Sequence, residues 1–452
     1  MSLEHAAVVE SNGNYPGKGI GQPVGVAVLG KGTVGTEVLR LIAEFSSNLE
    51  HRIGGPIEVR GVAVSNVDKH KNAPEVQGLY LTDNAHELVE RDDVDVVVEV
   101  IGGIDYPREL VLKALRAGKS VVTANKALVA AHGSELADAA NEAGVDLYYE
   151  AAVAAAIPVV GMLRRSLAGD KVERIAGIVN GTTNFILDAM ASTGASYEDA
   201  LAEATRLGYA EADPTADVEG HDAASKAAIL ASMGFHTRVT FDDVYCEGIT
   251  NITAEDIAAA KRANQTIKLL AICERLYDEN GETRAVNARV HPTLVPNDHP
   301  LATVDKSYNA IFVEAEAAGR LMFYGNGAGG APTASAVLGD LVGAARNKIH
   351  GGRAPAENPY AGYPVVGFEE VTTRYHINMT VNDRVGVLAD LARQFANSNV
   401  SLSAVRQEEA GDGAHLVVVT HQATERDLQN IVRRLSDHED VRSVNSVLRL
   451  QD

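Results

Sequence analysis

A glycine pattern near the start of the chain constrains its fold most. The segment VGVAVLGKGTVGTEVLRLIAEF opens with an apolar run at residues 24–29, typical of a buried strand, and ends with apolar residues at helical spacing. Between these elements the first glycine permits a tight turn, the second lets a pyrophosphate approach the backbone, and the third lets helix and strand touch. The loop therefore predicts a dinucleotide site at a helix N-terminus. Its predicted contacts are Gly30, Gly32, Thr33, Val34 and Gly35.

The residues after this loop alternate between apolar runs and amphipathic stretches. Predicted strands at EVRGVAVS, VDVVVEVIGG, SVVTAN and VDLYYE are separated by helical segments such as PRELVLKALRAG. This alternation predicts an α/β fold with a Rossmann-type, doubly wound parallel sheet over residues 23–150. Alanine-rich helices and further apolar segments predict a second α/β domain over 151–350. After a Gly/Pro-rich linker at 351–372, the order βαββαβ predicts a ferredoxin-like domain over 373–452.

Composition narrows the class of partner. The 452 residues carry a formal net charge of −21, which argues against nucleic acid. No apolar run approaches the ~20 residues that a bilayer span needs, so no membrane is expected and a small molecule is the predicted partner. The two cysteines, Cys246 and Cys273, lie outside any zinc-ligand spacing and suit a reducing cytoplasm. Residues 1–22 do not resemble a secretion signal and are predicted to form a flexible leader.

The end of the second predicted strand bears on the choice between NAD and NADP. An acidic residue there would bind the ribose hydroxyls of NAD. The chain instead has Ser65 at the tip and Lys69 and Lys71 just beyond it, which leaves space and positive charge for a 2′-phosphate. NADP is therefore the predicted cofactor. NAD stays an alternative, because Asp68 offsets the charge and both lysines could be solvated loop residues.

A lysine follows another predicted strand of the same sheet. SVVTANKALVA places Thr123, Asn125 and Lys126 at the carboxyl edge, where ligands of doubly wound sheets bind. Lys126 could supply charge or a proton to a substrate near the nicotinamide. A lysine that opens a helix is also commonly exposed to solvent, so spacing alone leaves both interpretations open.

The stretch GYAEADPTADVEGHDAASK, residues 208–226, holds five carboxylates, one histidine and one lysine. If a helix starts near Asp222, then Asp222 and Lys226 share one face at i and i+4. One interpretation is a solvated acidic loop with a helix N-cap. A second is a divalent-metal site built from Asp213, Asp217, His221 and Asp222, although the spacing matches neither a calcium loop nor an HExxH pattern. In the third, carboxylates bind a substrate ammonium while Lys226 exchanges a proton, as hydride transfer on an alcohol requires.

Five segments together resemble one family. In this order, LGKGTVGTEV, TANKALVA, NGTTNFIL, GYAEADPTADVEGHDAASK and GNGAGGAPTASAVLGD are similar to homoserine dehydrogenase of the monofunctional type with a C-terminal regulatory domain. The resemblance extends from about Val24 to the end of the chain. It implies NAD(P)-dependent interconversion of L-homoserine and L-aspartate 4-semialdehyde, on the route to threonine, methionine and isoleucine.

The same resemblance implies roles for individual residues. Lys226 matches the family's acid/base lysine, and Lys126 matches the second lysine near the reacting oxygen. Glu211 and Asp222 match the carboxylates that bind the amino group, with Asp217 as a supporting acid. Two further positions match residues that contact the cofactor, Gly208 and Gly327.

EAAVAAAIP is similar to the family's monovalent-cation loop, although its alanine content alone is typical of a helix start. The resemblance implies that sodium binds mainly backbone oxygens there. The implied ligands are Glu150, Val153, Ala155 and Ile157.

The C-terminal region, from about Thr373, resembles an ACT domain, an amino-acid-sensing module. VNDRVGVLADLA is the matching stretch, with the turn at 383–386 where such domains bind ligand. The implied effector is threonine, acting as feedback inhibitor, and the alternative is a module that only dimerises. By analogy with such enzymes, a homo-oligomer is expected.

These predictions combine into one hypothesis. NADP(H) lies across the N-terminal sheet, and the substrate lies between that sheet and the second domain, with hydride moving between C4 and the nicotinamide. Two other classes stay open: a metal-dependent enzyme built on the Asp/His cluster, and a non-catalytic amino-acid sensor.

Overall fold

A computed structural model of the chain describes residues 17–356, 359–410 and 413–451. Residues 1–16 of the predicted leader lie outside this part. The described residues form two compact units, and the chain passes between them several times. Of the described residues, the first unit draws on those within 17–175, Ser225–Phe241 and Tyr308–Gly362, and the second on those within Ala176–Ala224, Asp242–Ser307 and 363–451.

The first unit contains a six-stranded parallel sheet with the order β3-β2-β1-β4-β5-β6. The strand order reverses between β1 and β4, which opens a crevice at their carboxyl ends where ligands of such sheets bind. Its strands are β1 Val24–Leu29, β2 Ile57–Ala63, β3 Leu81–Thr82, β4 Val96–Glu99, β5 Ser120–Thr123 and β6 Leu147–Tyr148. The last strand is shorter than the sequence predicts.

Helices connect these strands, as right-handed parallel crossovers require. Apolar residues of the first helix, such as Val38 and Ile42, recur every three to four residues and are buried against the sheet. The helices are α1 Thr33–Glu44, α2 Ser46–Ile53, α3 Val67–His70, α4 Ala85–Glu90, α5 Asp105–Arg116 and α6 Lys126–Ala143. Asn125 caps α6 by accepting the N–H of Leu128, and Gly144, with φ 67°, ends it.

The middle of the chain contributes to both units. Its strands are β7 Val172–Ile178, β8 Tyr245–Cys246, β9 Gln265–Tyr277, β10 Thr283–Pro296, β11 Tyr308–Ala315 and β12 Gly319–Asn326. Its helices are α7 Val159–Gly161, α8 Gly181–Thr193, α9 Tyr197–Arg206, α10 Thr215–Val218, α11 His221–Phe235, α12 Ala254–Arg262 and α13 Gly330–His350, with a π-helical turn at Met162–Ser166. In the first unit β11 and β12 pair antiparallel, and in the second β10 pairs with β9 and β8. Helix α13 joins the core of the first sheet through Val337 and Leu341.

The C-terminal region forms an antiparallel sheet with two helices in the order βαββαβ, as predicted. Strand β14 lies between β16 and β18, and β15 lies outside β16. The end of β18 also pairs with β10, within the second unit. The elements are β13 Thr372–Thr373, β14 Tyr375–Asn382, α14 Val387–Asn397, β15 Leu402–Ala410, β16 Gly413–Thr420, β17 Ala423–Thr424, α15 Glu425–Ser436 and β18 Val441–Leu450.

Short 3-10 turns complete the secondary structure, at Pro74–Val76, Glu150–Ala152, Phe241–Asp243, Pro300–Thr303 and Phe368–Glu370. A search of the described helices for one long and apolar enough to cross a bilayer finds none.

Candidate active site

The three glycines after β1 differ in what surrounds them. Gly30 has φ 102°, which side chains other than glycine rarely adopt, and an added β-carbon would lie 2.7 Å from the carbonyl oxygen of Val100. A β-carbon on Gly35 would overlap the carbonyl oxygen of Gly30. Gly32 has open space beside it, because apart from its two chain neighbours no described atom lies within 4 Å of an added β-carbon. The loop therefore leaves room at the point where a pyrophosphate would approach, and its geometry fits a dinucleotide.

A second glycine-rich segment packs against the first. Helix α1 starts at Thr33, whose N–H and those of the next residues lack acceptors within the helix. A β-carbon on Gly330, at the start of α13, would lie 2.9 Å from the Thr33 side chain. Gly327, three residues earlier, packs so closely on the Asn309 amide that a β-carbon would overlap it. Two glycine-rich loops with few side-chain atoms thus meet at the N-terminus of α1.

Basic side chains surround the end of β2. Ser65 and Lys69 are exposed. Partial burial, followed by the positive charges of Lys31 and Lys69, lowers the pKa of His70. The Lys31 ammonium is paired with Glu75 Oε2 at 3.2 Å. Lys71 is engaged elsewhere, because its ammonium lies 2.7 Å from Asp68 Oδ1. Of the two lysines singled out in the sequence, Lys69 is therefore the better placed to meet a phosphate.

The carboxyl ends of β4 and β5 are tied together by an acid that the sequence analysis missed. Glu99 is fully buried, and burial raises the pKa of its carboxyl group. It accepts hydrogen bonds from Thr123 Oγ1 at 2.5 Å and from the N–H of Ile101 at 2.8 Å. Thr123 Oγ1 in turn accepts the N–H of Asn125 at 3.0 Å. The glutamate within the apolar run VDVVVEV was the available signal, since an acid in a buried strand needs a partner.

Lys126 is the first residue of α6 and is exposed. A cation at the positive end of a helix dipole is unfavourable, so helix stability does not explain why a lysine stands at this position. Its backbone is fixed by Asn125, whose side chain caps the helix and donates to the Gly103 carbonyl at 2.8 Å. The loop that carries Lys126 is thus held to the crevice edge of the sheet.

The acidic stretch is a bent segment of the second unit that leads into α11. Asp213 accepts hydrogen bonds from the N–H and hydroxyl of Thr215, at 3.1 and 2.6 Å, at the turn that leads into the short helix α10. Asn180 Nδ2 donates to Asp217 Oδ1 at 2.7 Å and to Asp222 Oδ2 at 2.9 Å. The structure therefore brings two of the predicted substrate-binding acids together through an amide that the sequence analysis did not single out.

Asp222 and Lys226 lie one turn apart on α11, as the spacing predicts, and each is only 7% exposed. Glu211 is exposed on the loop before α10, and Gly208 has φ 78° at the start of that loop. Asp222 and Glu211 belong to the second unit, whereas Lys226 follows Ala224, where α11 passes into the first unit.

Among the described residues, no group of three or more His, Cys, Asp or Glu side chains is arranged to hold a metal ion. That observation covers the acidic stretch, where a divalent site was one of three interpretations. A monovalent-cation site made of backbone carbonyl oxygens would not be detected in this way, so it is assessed from the loop at 150–157.

The alanine-rich segment after β6 is a turn and not a helix start. Ala154 and Ala155 have φ values of 53° and 44°, in the left-handed region. The N–H of Ala156 donates to the Asn326 carbonyl on β12 at 3.3 Å instead of to a helical acceptor. Left-handed residues turn successive carbonyl groups out of the helical direction, so the loop can present backbone oxygens to a cation.

Glu150 holds this loop in place. Its carboxylate accepts the N–H groups of Val160 and Gly161 at 2.8 and 2.6 Å, and its own N–H donates to Asp340 Oδ2 at 2.7 Å. Burial raises the pKa of Glu150, and burial followed by the charge of Glu150 raises that of Asp340 to about 7. The Glu150 carboxylate thus provides hydrogen-bond acceptors for two N–H groups in the first turn of α7.

Comparison with known protein families gives three matches along the chain. The model described as the NAD binding domain of homoserine dehydrogenase matches residues 30–150. The model for homoserine dehydrogenase itself matches residues 158–342, and the ACT domain model matches residues 375–440.

Individual proteins are similar over nearly the whole chain. The homoserine dehydrogenase of Corynebacterium glutamicum is 69% identical over 438 residues, which cover 96% of this chain and 97% of that protein. A solved homoserine dehydrogenase from Thiobacillus denitrificans has a TM-score of 0.89 at 39% identity, covering 96% of this chain and 99% of that chain. A hyperthermophilic archaeal homoserine dehydrogenase in complex with NADPH has a TM-score of 0.59 at 30% identity, covering 72% and 98%.

The matches confirm the predicted fold class, with a parallel Rossmann-type sheet, a second α/β domain and a C-terminal ACT domain. They also confirm the predicted enzyme class, an oxidoreductase that acts on a CH–OH group. With relatives this similar over this share of its length, the chain belongs to the homoserine dehydrogenase family.

Proposed function

We propose that the chain interconverts L-homoserine and L-aspartate 4-semialdehyde with NADP(H) as its preferred cofactor. The observation that carries the proposal is on α11, where Asp222 and Lys226 lie one turn apart and both are nearly buried. This pair suits a substrate with an ammonium at one end and a reacting hydroxyl at the other. Asp222 binds the ammonium, and Lys226 serves the hydroxyl.

The two lysines act on the oxygen of the substrate. The glycine-rich loop after β1 would hold the cofactor, whose nicotinamide would supply the hydride acceptor for C4 of homoserine and the hydride donor for the aldehyde. Lys226, as the neutral amine, takes the hydroxyl proton during oxidation and, as the ammonium, returns it during reduction. Lys126 adds positive charge that stabilises the developing alkoxide. The position of Lys126 at a helix N-terminus supports this role, because the helix itself gains nothing from a cation there.

Three acids recognise the amino group. Glu211 and Asp222 bind the ammonium directly, and Asp217 supports them. The shared hydrogen bonds from Asn180 to Asp217 and Asp222 support this grouping. The exposure of Glu211 suits a residue that meets the substrate from the solvent side.

NADP is proposed as the cofactor because of the charges at the end of β2. Ser65 offers no carboxylate to a ribose diol, and Lys69 is an exposed cation near His70. The Lys31 ammonium is already paired with Glu75 at 3.2 Å. The archaeal relative was solved in complex with NADPH, which supports the same preference here. The proposed contacts in the two glycine-rich segments are Gly30, Gly32, Thr33, Val34, Gly35 and Gly327, and Gly208 and Lys126 complete the set.

We also propose sodium at the loop after β6, bound mainly by backbone oxygens. The left-handed φ values of Ala154 and Ala155 support this assignment. The ligands are Glu150, Val153, Ala155 and Ile157. At constant ionic strength, exchanging sodium for tetramethylammonium is expected to lower the melting temperature of the protein, and an unchanged melting temperature contradicts the site.

The ACT domain is proposed to bind threonine as a feedback inhibitor. A cavity at the turn between β14 and α14 is lined by Asn382, Asp383 and Gly386, close to where the resemblance places the effector. The enzyme would then serve threonine, methionine and isoleucine synthesis as a homo-oligomer. We also propose the domain boundaries that the sequence predicts. They are 23–150 for the dinucleotide-binding domain, 151–350 for the catalytic domain and 373–452 for the ACT domain.

Initial rates of aspartate-semialdehyde reduction with NADPH and with NADH, each with and without threonine, test the function. We expect a higher kcat/KM with NADPH and inhibition by threonine. Failure of the aldehyde to oxidise either cofactor contradicts the proposal. Activity that disappears after exhaustive chelation of divalent ions favours a metal-dependent enzyme instead.

A further inference from the structure

The carboxylates of Asp217 and Asp222 share one hydrogen-bond donor. Asn180 Nδ2 lies 2.7 Å from Asp217 Oδ1 and 2.9 Å from Asp222 Oδ2. A primary amide nitrogen carries two hydrogens, so a single side chain donates to both acids at once. Asn180 is 5% exposed, and hydrogen bonds to ionised carboxylates are strong where water is excluded.

The oxygen of the same amide fixes the direction of its nitrogen. Asn180 is the N-cap of α8, and its Oδ1 accepts the N–H of Thr183 at 2.9 Å and the hydroxyl of Thr183 at 3.0 Å. With the oxygen held at the helix start, the amino group faces the two acids.

The start of α8 holds the backbone of the acidic stretch at a second point. Thr182 Oγ1 donates to the carbonyl of Tyr209 at 2.9 Å, and the ring of Phe185 packs on Tyr209 with centroids 4.9 Å apart. Tyr209 is two residues before Glu211. One helix terminus therefore restrains both the loop that carries Glu211 and the two acids that follow.

We propose that Asn180 is a positioning residue for substrate recognition, which holds Asp217 and Asp222 side by side so that Asp222 meets the substrate ammonium. The inference rests on the proposed function, because it takes the assignment of Asp222 to the ammonium as given. Without the amide, two neighbouring negative charges repel and Asp222 turns away from the ammonium. Hydride transfer itself does not use Asn180, so the loss falls on substrate binding.

Asn180→Ser tests this role, because serine caps a helix as well as asparagine does but cannot bridge two carboxylates. We expect the KM for homoserine to rise at least tenfold, with the KM for NADP within twofold. The melting temperature should fall somewhat, because the two carboxylates lose a hydrogen-bond donor. The matched control is Asn84→Ser, since Asn84 caps α4 through the N–H of Glu87 at 3.2 Å in the same way. Its kinetic constants are expected to stay at those of the parent.

Competitive inhibitors distinguish positioning from a general structural effect. L-2-aminobutyrate carries the ammonium and butyrate lacks it. In Asn180→Ser we expect the inhibition constant of L-2-aminobutyrate to rise at least tenfold and that of butyrate to stay within twofold. Equal losses for both inhibitors, or no loss for either, overturn the inference.

Two further variants keep the outcomes separable. Asn180→Asp retains the cap oxygen and adds a third negative charge, so it should raise the KM for homoserine further and serves if Asn180→Ser does not fold. Asp222→Asn and Glu211→Gln test the ammonium site itself. If these two raise the KM and the Asn180 variants do not, the positioning role alone is wrong. If Asp222→Asn and Glu211→Gln leave the KM unchanged, the proposed ammonium site is wrong.

Discussion

Gly35 packs so closely on Gly30 that a β-carbon on Gly35 would overlap the carbonyl oxygen of Gly30. Gly32 lies between them in the chain, and apart from its two chain neighbours no described atom lies within 4 Å of the position that its β-carbon would take. Packing within the protein therefore requires glycine at positions 30 and 35. Packing does not require it at position 32, where we expect the approach of a pyrophosphate to require it.

This difference predicts that one alanine substitution affects stability and the other affects cofactor binding. Gly35→Ala should destabilise the first unit by about 1–3 kcal/mol, the usual cost of overpacking. Gly32→Ala should leave the unfolding free energy within about 0.5 kcal/mol, as a surface substitution does, and raise the KM for NADP. Urea unfolding and cofactor kinetics measure the two effects. A Gly32→Ala enzyme with the parent KM would contradict the pyrophosphate assignment.

The charges at the end of β2 predict a cofactor-selective effect. Lys69→Ala should lower kcat/KM with NADPH by about fivefold to tenfold, roughly 1 kcal/mol, and change the value with NADH little. Lys71→Ala is the matched control, because Asp68 already engages that ammonium at 2.7 Å. The difference should shrink at high ionic strength, since salt screens exposed charges. Equal losses with both cofactors would count against a 2′-phosphate site.

A buried ion pair in the C-terminal region predicts a large effect on stability. Arg449 Nε lies 3.1 Å from Oε1 of the fully buried Glu425, and its Nη1 lies 2.5 Å from Glu247 Oε2. Arg449→Met leaves Glu425 buried without its cation, so the unfolding free energy should fall by about 3–5 kcal/mol. Arg206→Met removes an exposed pair with Glu203 and should change the unfolding free energy little, because solvent screens both charges. Similar denaturation midpoints for both variants would refute this estimate.

The thiol of Cys246 should resist alkylation. Burial, followed by the charges of Glu219 and Glu247, raises its pKa to about 11. The thiolate is the reactive form, so at pH 8 about 0.1% is available, and the rate should rise about tenfold per pH unit up to about pH 10. Cys273 is fully buried and should react only after unfolding. Iodoacetamide labelling followed by mass spectrometry checks this, and a rate that levels off below pH 9 would be inconsistent with it.

Features set by local spacing were predictable from the sequence. The strand, glycine loop and helix at residues 24–44 follow from hydrophobic periodicity and from the steric demands of Gly30 and Gly35. The shared face of Asp222 and Lys226 follows from the helical repeat once the helix start is placed. The burial and the hydrogen-bond partners of these two residues depend on tertiary structure, so they cannot be predicted from the spacing.

The residues that escaped prediction depend on contacts distant in the chain. Asn180 meets Asp217 and Asp222 from 37 and 42 positions away, and Glu99 meets Thr123 from 24 positions away. The alanine-rich loop escaped for a different reason. Its composition favours a helix, but the N–H of Ala156 is taken by Asn326 on β12, so tertiary context overrides propensity.

The central claim is that Lys226 exchanges the hydroxyl proton, and its most direct test is the turnover of Lys226→Ala. With saturating aspartate semialdehyde and NADPH, kcat should fall by about 10²–10⁴-fold, the usual contribution of a positioned acid or base. NADPH binding, measured by fluorescence, should stay within twofold of the parent. A kcat within about tenfold of the parent, roughly 1.4 kcal/mol, would contradict the assigned role.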